Sequence, residues 1–141
     1  MEIVRSLVVP RPIQEVYDYL HDFTNTEEWD PGTIRTTLES GDGGVGSRYH
    51  NVSRFLGRRT ELTYVVEEDA APWQLRLRGE NKTVVAHDSM TLNETETGGT
   101  QVTYRASFDF KGKVRLLAPL TAPAFWRLGN QAEKSLRKAL G

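Results

Sequence analysis

The sequence predicts a single α+β domain over residues 1–141, in which a curved antiparallel sheet of six or seven strands surrounds a long C-terminal helix. Two short helices are expected between the first and second strands. Three observations predict this. Ile13, Val16, Tyr17 and Leu20 recur at the spacing of one apolar helical face. From Thr33 to Phe110 the pattern alternates residue by residue and is broken repeatedly by Gly, Pro and Asn. Beyond Gly112 a helical period returns through Leu120, Ala124, Leu128, Ala132, Leu136 and Leu140. Helices segregated onto one side of an antiparallel sheet define the α+β class.

The elements follow in order. Glu2 to Val9 is rich in β-branched residues and stops at Pro10-Arg11-Pro12, which reads as a strand. Pro12 suits the first turn of the helix that carries Ile13 to Leu20, where a missing N–H is harmless. A second short helix is expected from Thr24, with Glu27 completing a capping box, and Asp30-Pro31-Gly32 ends it. Six strands are then expected in an antiparallel meander: Thr33–Glu39, Ser47–Leu56, Arg59–Glu68, Trp73–Glu80, Thr83–Thr95 and Thr100–Phe110. The last helix is expected to run continuously from near Thr121, with Pro123 in its first turn. About 20 residues make a rod on the order of 30 Å, long enough to cross the sheet.

Alternation sorts the strand faces. Leu62, Tyr64 and Val66 are expected inside, as are Trp73, Leu75 and Leu77, and Val102, Tyr104, Ala106, Phe108 and Phe110. In the strand from Thr83, the apolar set Val84, Ala86, Met90 and Leu92 places Asp88 on the same inner face. A lone carboxylate in an apolar interior is expensive unless it is paired, hydrated or protonated. Either a bulge or strand end turns Asp88 to water or an arginine pairs with it, or it serves a ligand or a reaction. The strand from Ser47 depends on its turn. A two-residue turn at Leu56-Gly57 or Gly57-Arg58 faces Tyr49, Asn51, Ser53 and Phe55 inward, the preferred reading, because a one-residue slip would bury Arg54 and His50 instead. Tyrosines enter a packed core only where their hydroxyls find partners. Tyr49, Tyr64 and Tyr104 with Asn51 and Ser53 fit an apolar pocket with a few polar fixtures, or an ordinary core whose hydroxyls reach its rim.

Composition narrows the classes. The chain has 38% hydrophobic and 26% charged residues, an ordinary globular balance that can support one core. It has no cysteine, which excludes disulfides, thiolate metal sites and thiol nucleophiles. A net charge of −1 with interleaved signs offers no counterion-release footprint, so no nucleic-acid partner is expected. Leu116 to Trp126, the longest uncharged apolar stretch, is too short to span a bilayer, so no stable membrane insertion is expected. The N-terminus lacks a signal-peptide pattern, and a cytoplasmic location is expected.

Several motifs carry no chemistry. Gly41, Gly43 and Gly46 match the spacing of a dinucleotide fingerprint, but a strand follows where the fingerprint needs a helix, so a hairpin loop is expected. His21, His50 and His87 lack metal-ligand spacing, and no serine-nucleophile motif occurs. Neither a metal nor a cofactor is expected. Arg58-Arg59 and the cluster Arg76, Arg78 and Lys82 read as a solvated sheet surface.

The order of elements and three phrases resemble the SRPBCC (START-like) superfamily in its polyketide cyclase/dehydrase branch. The phrases are VPRPIQEVYDYLHDFTNTEEWDPG at residues 9–32, GVGSRYHNVSRFLGRRTELTYVVEEDAAPWQLRLRGE at 44–80 and GGTQVTYRASFDFKG at 98–112. The resemblance extends over nearly the whole chain and implies a helix-grip fold with a cavity between sheet and helix. It implies that Trp29 and Pro31 occupy the segment that closes over the cavity mouth, and that Phe125, Trp126, Gly129 and Ala132 come from the gripping helix. There the small Gly129 would let a ligand approach the backbone. The matching motifs are fold motifs, and no catalytic signature comes with them.

The leading functional expectation is binding of a small hydrophobic or aromatic molecule, polyketide-, lipid- or quinone-like, by a monomer or homodimer. The expected contacts are Trp29, Tyr49, Asn51, Phe55, Tyr64, Asp88, Tyr104, Phe108, Phe125, Trp126 and Gly129. The alternative is a polyketide cyclase or dehydratase using polar residues of the same cavity, Asn51, Tyr64, Asp88 and Tyr104, among which neither proton donor nor base is assigned. A third possibility is an interaction or stress-response domain with a collapsed cavity, below about 300 Å³.

Overall fold

The computed structural model describes residues 1–141. Seven antiparallel strands form one sheet in the order β1-β7-β6-β5-β4-β3-β2. They are β1 (Glu2–Val9), β2 (Thr33–Ser40), β3 (Arg48–Phe55), β4 (Arg58–Ala70), β5 (Gln74–Glu80), β6 (Val84–Glu94) and β7 (Thr100–Phe110). Six strands follow one another as a meander, and β1 pairs with β7 from the far end of the sequence, Ile3 opposite Ala106 and Leu7 opposite Val102. Helix α1 (Ile13–His21), a 3-10 turn at Phe23–Asn25 and helix α2 (Thr26–Trp29) carry the chain from the β1 edge to the β2 edge. A second 3-10 turn, Gly112–Leu117, leads into the long helix α3 (Ala118–Leu140).

The β3–β4 hairpin decides which face of β3 is inside. Leu56 and Gly57 form a two-residue turn with φ of 52° and 76°, the primed geometry that matches strand twist. It sets Tyr49 opposite Tyr64, Asn51 opposite Leu62 and Ser53 opposite Thr60. Tyr49 and Asn51 are buried as that register requires; Val52, on the other face, is buried as well. Gly41, Gly43 and Gly46, all at positive φ, form the strand-to-strand loop between β2 and β3.

Three local expectations are corrected. Thr24 does not cap a helix; Asp22 caps the 3-10 turn by accepting from the Thr24 N–H, and Glu27 accepts instead from the Thr36 N–H of β2. Trp73 precedes β5 and is half exposed, because its N–H closes a turn onto Ala70. Helix α3 starts at Ala118, with Pro119 in its first turn and Pro123 inside the helix. Its buried residues are Phe125, Gly129, Ala132, Leu136 and Leu140, a rotation away from the strict four-residue stripe, and Leu120 is 79% exposed.

The core is uneven along the sheet. Leu7, Val16, Leu20, Leu75, Leu77, Met90, Leu92, Val102 and Leu136 are almost completely buried and fill one end under α1 and the last turns of α3. Tyr17 anchors α1 there: its hydroxyl donates to Asp69 of β4, and His21 Nε2 lies 3.0 Å from the other Asp69 oxygen. At the opposite end, the first half of α3 stands over the sheet without filling the space beneath it.

Candidate functional site

That space is a cavity of about 320 Å³ between the sheet and α3. Its sheet wall is built from inward positions of four strands on either side of β5: Ser53 and Phe55 on β3, Thr60, Leu62 and Tyr64 on β4, Val84 and Asp88 on β6, and Tyr104, Ala106, Phe108 and Phe110 on β7. Ile3 of β1 and Thr121, Phe125, Leu128, Gly129 and Ala132 of α3 complete the enclosure. Strand alternation places each of the sheet residues there, since every second side chain points to the same face.

The middle of the cavity is aromatic. The Phe125 ring lies 4.3 Å from Phe55, 4.6 Å from Phe108 and 5.9 Å from Phe110, centroid to centroid, in tilted arrangements that suit ring quadrupoles. The inner end carries two carboxyls, Asp30 and Asp88, beside the buried hydroxyls of Tyr64 and Tyr104. The opposite end opens to solvent among Arg54, Leu56, Arg58 and Thr83, all exposed.

Asp88 is the unusual group. It is buried, and neither a hydrogen-bond donor nor a cation pairs with it in the protein. Burial, and secondarily the nearby Asp30 charge, push its carboxyl up from 3.8 to about 8. Asp30 is also raised by burial, but its oxygens accept from the Gly32 N–H and the Thr33 hydroxyl, which oppose the rise. Asp88 has no such donors, and at about 8 its carboxyl is mostly protonated at neutral pH. Burial and the Asp88 charge also raise both tyrosines well above their ordinary value, so they remain neutral donors. A neutral carboxylic acid and two phenols can hydrogen-bond a carbonyl or hydroxyl of a mostly apolar guest, and Asp88 can exchange a proton with it.

Of the residues expected at the site, Phe55, Tyr64, Asp88, Tyr104, Phe108, Phe125 and Gly129 line the cavity; Trp29, Tyr49, Asn51 and Trp126 do not. Within its segment, Trp29 itself is turned away from the cavity. It is 1% exposed and packs edge-on against Tyr104 at 5.4 Å, and the residues after it, Asp30 and Gly32, take the lining positions. Tyr49 packs against Phe23 at 5.6 Å, outside the cavity. Asn51 is committed to a structural cluster: it donates to Thr36 Oγ1 at 2.9 Å and accepts from Ser53 Oγ at 2.7 Å. Trp126 is 65% exposed, one helical step from Phe125 and thus about 100° around the helix.

Gly129 lines the cavity and also has a packing role. A Cβ there would lie 2.5 Å from Ile3 Cγ2 and 3.1 Å from Arg5 Nη2, so the glycine lets α3 close onto β1. Sequence reasoning did not single out Asp30, Arg54, Arg58, Thr121 or Leu128 as lining. Asp30 precedes Pro31 and reads as a helix stop, and nothing local shows that its side chain faces the cavity as well.

Residues 1–141 match the family described as polyketide cyclase / dehydrase and lipid transport, and the chain belongs to it. No curated protein matches the sequence. Among solved structures, a protein from Thermus thermophilus superposes with a TM-score of 0.82 at 15% identity, covering 99% of this chain and 97% of that one. A START superfamily protein from Mycobacterium smegmatis gives 0.76 at 13% identity, over 99% and 96% of the two chains. An aromatase/cyclase from a Streptomyces species gives 0.69 at 14% identity, over 100% and 98%. At these identities the likeness shows the shared START-like helix-grip fold.

Proposed function

We propose that this member of the polyketide cyclase/dehydrase and lipid transport family acts over residues 1–141 as one binding domain for a small hydrophobic or aromatic molecule. The ligand class is polyketide-, lipid- or quinone-like. The observation that carries the reading is the cavity of about 320 Å³, aromatic in its middle and furnished at its inner end with Asp88, Tyr64 and Tyr104. Small-molecule sites occupy roughly 300–1,000 Å³ and combine apolar walls with a few polar groups, so the cavity is at the small end and not collapsed. Phe55, Phe108 and Phe125 supply apolar contact, at ~2.5 kcal/mol for each 100 Å² of ligand surface withdrawn from water. Tyr64, Tyr104 and Asp88 orient the guest. The reading is of a cytoplasmic protein, monomeric or homodimeric, without a nucleic-acid partner; the even charge balance supports the last of these.

Native mass spectrometry of protein purified from its own host, with thermal-shift titration against a lipid and aromatic panel, tests the proposal. A co-purifying ligand and a rise in Tm are expected. Ala132→Leu, which fills the cavity from α3, should lose that rise. A panel that leaves Tm unmoved would remove the support for binding.

A second reading, cyclisation or dehydration of a polyketone-like chain, is favoured by one specific observation. Asp88 is an unpartnered buried acid, raised by burial to about 8, so that it carries a proton at neutral pH and can give it up at modest cost, as a general acid must. Asp88 would donate to a carbonyl oxygen while Tyr64 or Tyr104 polarises it. Asp88→Asn should then abolish turnover of an aromatic polyketone and preserve its binding. Wild-type protein that binds such a compound and never converts it would leave only the binding reading.

A further inference from the structure

The polar inner end of the cavity is one-sided in its chemistry. Asp88, Tyr64 and Tyr104 are each more than nine-tenths buried. No hydrogen bond within the protein holds the Asp88 carboxyl or either tyrosine hydroxyl. Asp30, the fourth polar group there, accepts from the Gly32 N–H at 3.2 Å and the Thr33 hydroxyl at 3.0 Å. Neither carboxyl joins an ion pair. Every polar side-chain atom at this end is an oxygen, and folding brings no basic group to it. The strands beside Asp88 set Leu77 of β5 and Ala106 of β7 opposite it. From α3 the cavity receives Thr121, Phe125, Leu128, Gly129 and Ala132, none of them ionisable. The lining cations, Arg54 and Arg58, stand at the exposed mouth.

Buried charged groups are normally paired, so an acid without a partner in its own chain leaves that place to a guest. The head group of the guest follows from what the wall offers. A carboxylate or phosphate at the inner end would meet two carboxyls and no cation, and is rejected. A carbonyl accepts hydrogen bonds and offers none, so the acceptor oxygens would stay unsatisfied. A protonated amine brings N–H donors and a positive charge to a wall made of acceptors. Its apolar body then lies among Phe55, Phe108 and Phe125, whose ring faces attract organic cations as well as apolar surface.

We propose that the cavity takes an organic cation, an aromatic or alicyclic amine whose ammonium group lies against Asp88, Asp30 and the hydroxyls of Tyr64 and Tyr104. This guest class rests on the binding reading above and narrows it to one head group. An amine that arrives as R–NH3+ displaces the Asp88 proton to solvent, and one that arrives as R–NH2 takes that proton itself. Both routes end in the same ammonium–carboxylate pair. Burial holds the Asp88 carboxyl at about 8, whereas a free alkylammonium keeps its proton to about 10.4, so the transfer runs toward the pair. The other ionisable groups facing Asp88 are Asp30, Tyr64 and Tyr104, and both phenols stay neutral throughout.

Titration calorimetry of the full chain with naphthylethylamine, naphthylethanol and naphthylacetic acid, one skeleton with three head groups, tests it. Near pH ~8 the amine should bind roughly tenfold or more tighter than the alcohol, and the acid most weakly. Below the Asp88 midpoint the amine should weaken by up to ~10-fold per pH unit, because binding must release the Asp88 proton; the alcohol should not weaken. Heats measured near pH ~6.5 in phosphate and in Tris should show about one proton released per amine bound and none for the alcohol. The histidines titrate in the same range, but none lines the cavity. Asp88→Asn should therefore erase both the pH slope and the preference for amine over alcohol, and the proton count on wild type stands without any variant. Three results would each overturn the amine and leave the cavity reading in place: an alcohol that binds as tightly at the higher pH, amine binding without proton release, or a pH slope that survives in Asp88→Asn. Absence of binding by all three compounds overturns the amine as well, and the lipid and aromatic panel then decides the cavity reading separately.

Discussion

Replacing Asp88 by asparagine should stabilise the protein, and only above acidic pH. The carboxyl is held at about 8 in the folded chain against an ordinary 3.8. Its folded-state proton affinity is raised, so below pH ~4 both states are protonated and the group has no net effect on stability. Between those values the folded state holds a proton that the unfolded state has released, and stability falls as pH rises, at up to ~1.4 kcal/mol per pH unit. Over the whole window the loss approaches roughly 5 kcal/mol, a ceiling that water in the cavity lowers. Asparagine keeps the shape and removes the ionisation. Urea unfolding from pH 5 to pH 8.5 should show wild type losing roughly 3 kcal/mol or more and Asp88→Asn losing much less. Glu80, the other clearly shifted acid outside the cavity, is depressed by Lys111 and Arg78 and contributes in the opposite sense at lower pH. Parallel stability curves for the two proteins across that range would refute the assignment of Asp88 as a buried, unpartnered acid.

Other substitutions probe the frame of the cavity. A Cβ at Gly79 would lie 2.7 Å from the Tyr64 ring, so Gly79→Ala should cost ~1–3 kcal/mol in chemical denaturation and alter the near-ultraviolet circular dichroism of Tyr64. Gly129→Ala should separate α3 from Ile3 and Arg5 and cost a similar amount; unchanged stability would mean that the helix does not close tightly onto β1. Asp69→Ala removes an acceptor from the buried Tyr17 hydroxyl and the partner of His21. It should cost ~1–3 kcal/mol by urea unfolding, whereas Asp88→Asn acts in the opposite direction.

Strand faces were the most legible part of the sequence. Leu62, Tyr64 and Val66, and Val102, Tyr104 and Ala106, are buried as their alternation predicts, and Asp88 is inside because a period of two admits no other placement between Ala86 and Met90. The helix was harder. Several phases fit its scattered apolar residues, and contact with β1 and the cavity chose the one that buries Phe125 and leaves Leu120 and Trp126 in water.

By itself the sequence determined what depends on neighbours along the chain: seven strands, the helices that interrupt and follow them, and an inner face bearing tyrosines and one stray carboxyl. Periodicity and turn chemistry are local, so they survive without knowledge of the rest of the molecule. The tertiary structure alone decided which inward residues meet a core and which meet a cavity. Asn51 and Tyr64 both face inward, yet Thr26 and Thr36 bring a hydroxyl network to one while the hollow beneath α3 reaches the other. Asp30 and the arginine rim join the site in the same way, because a cavity is defined by distant segments converging, and no local pattern encodes that distance.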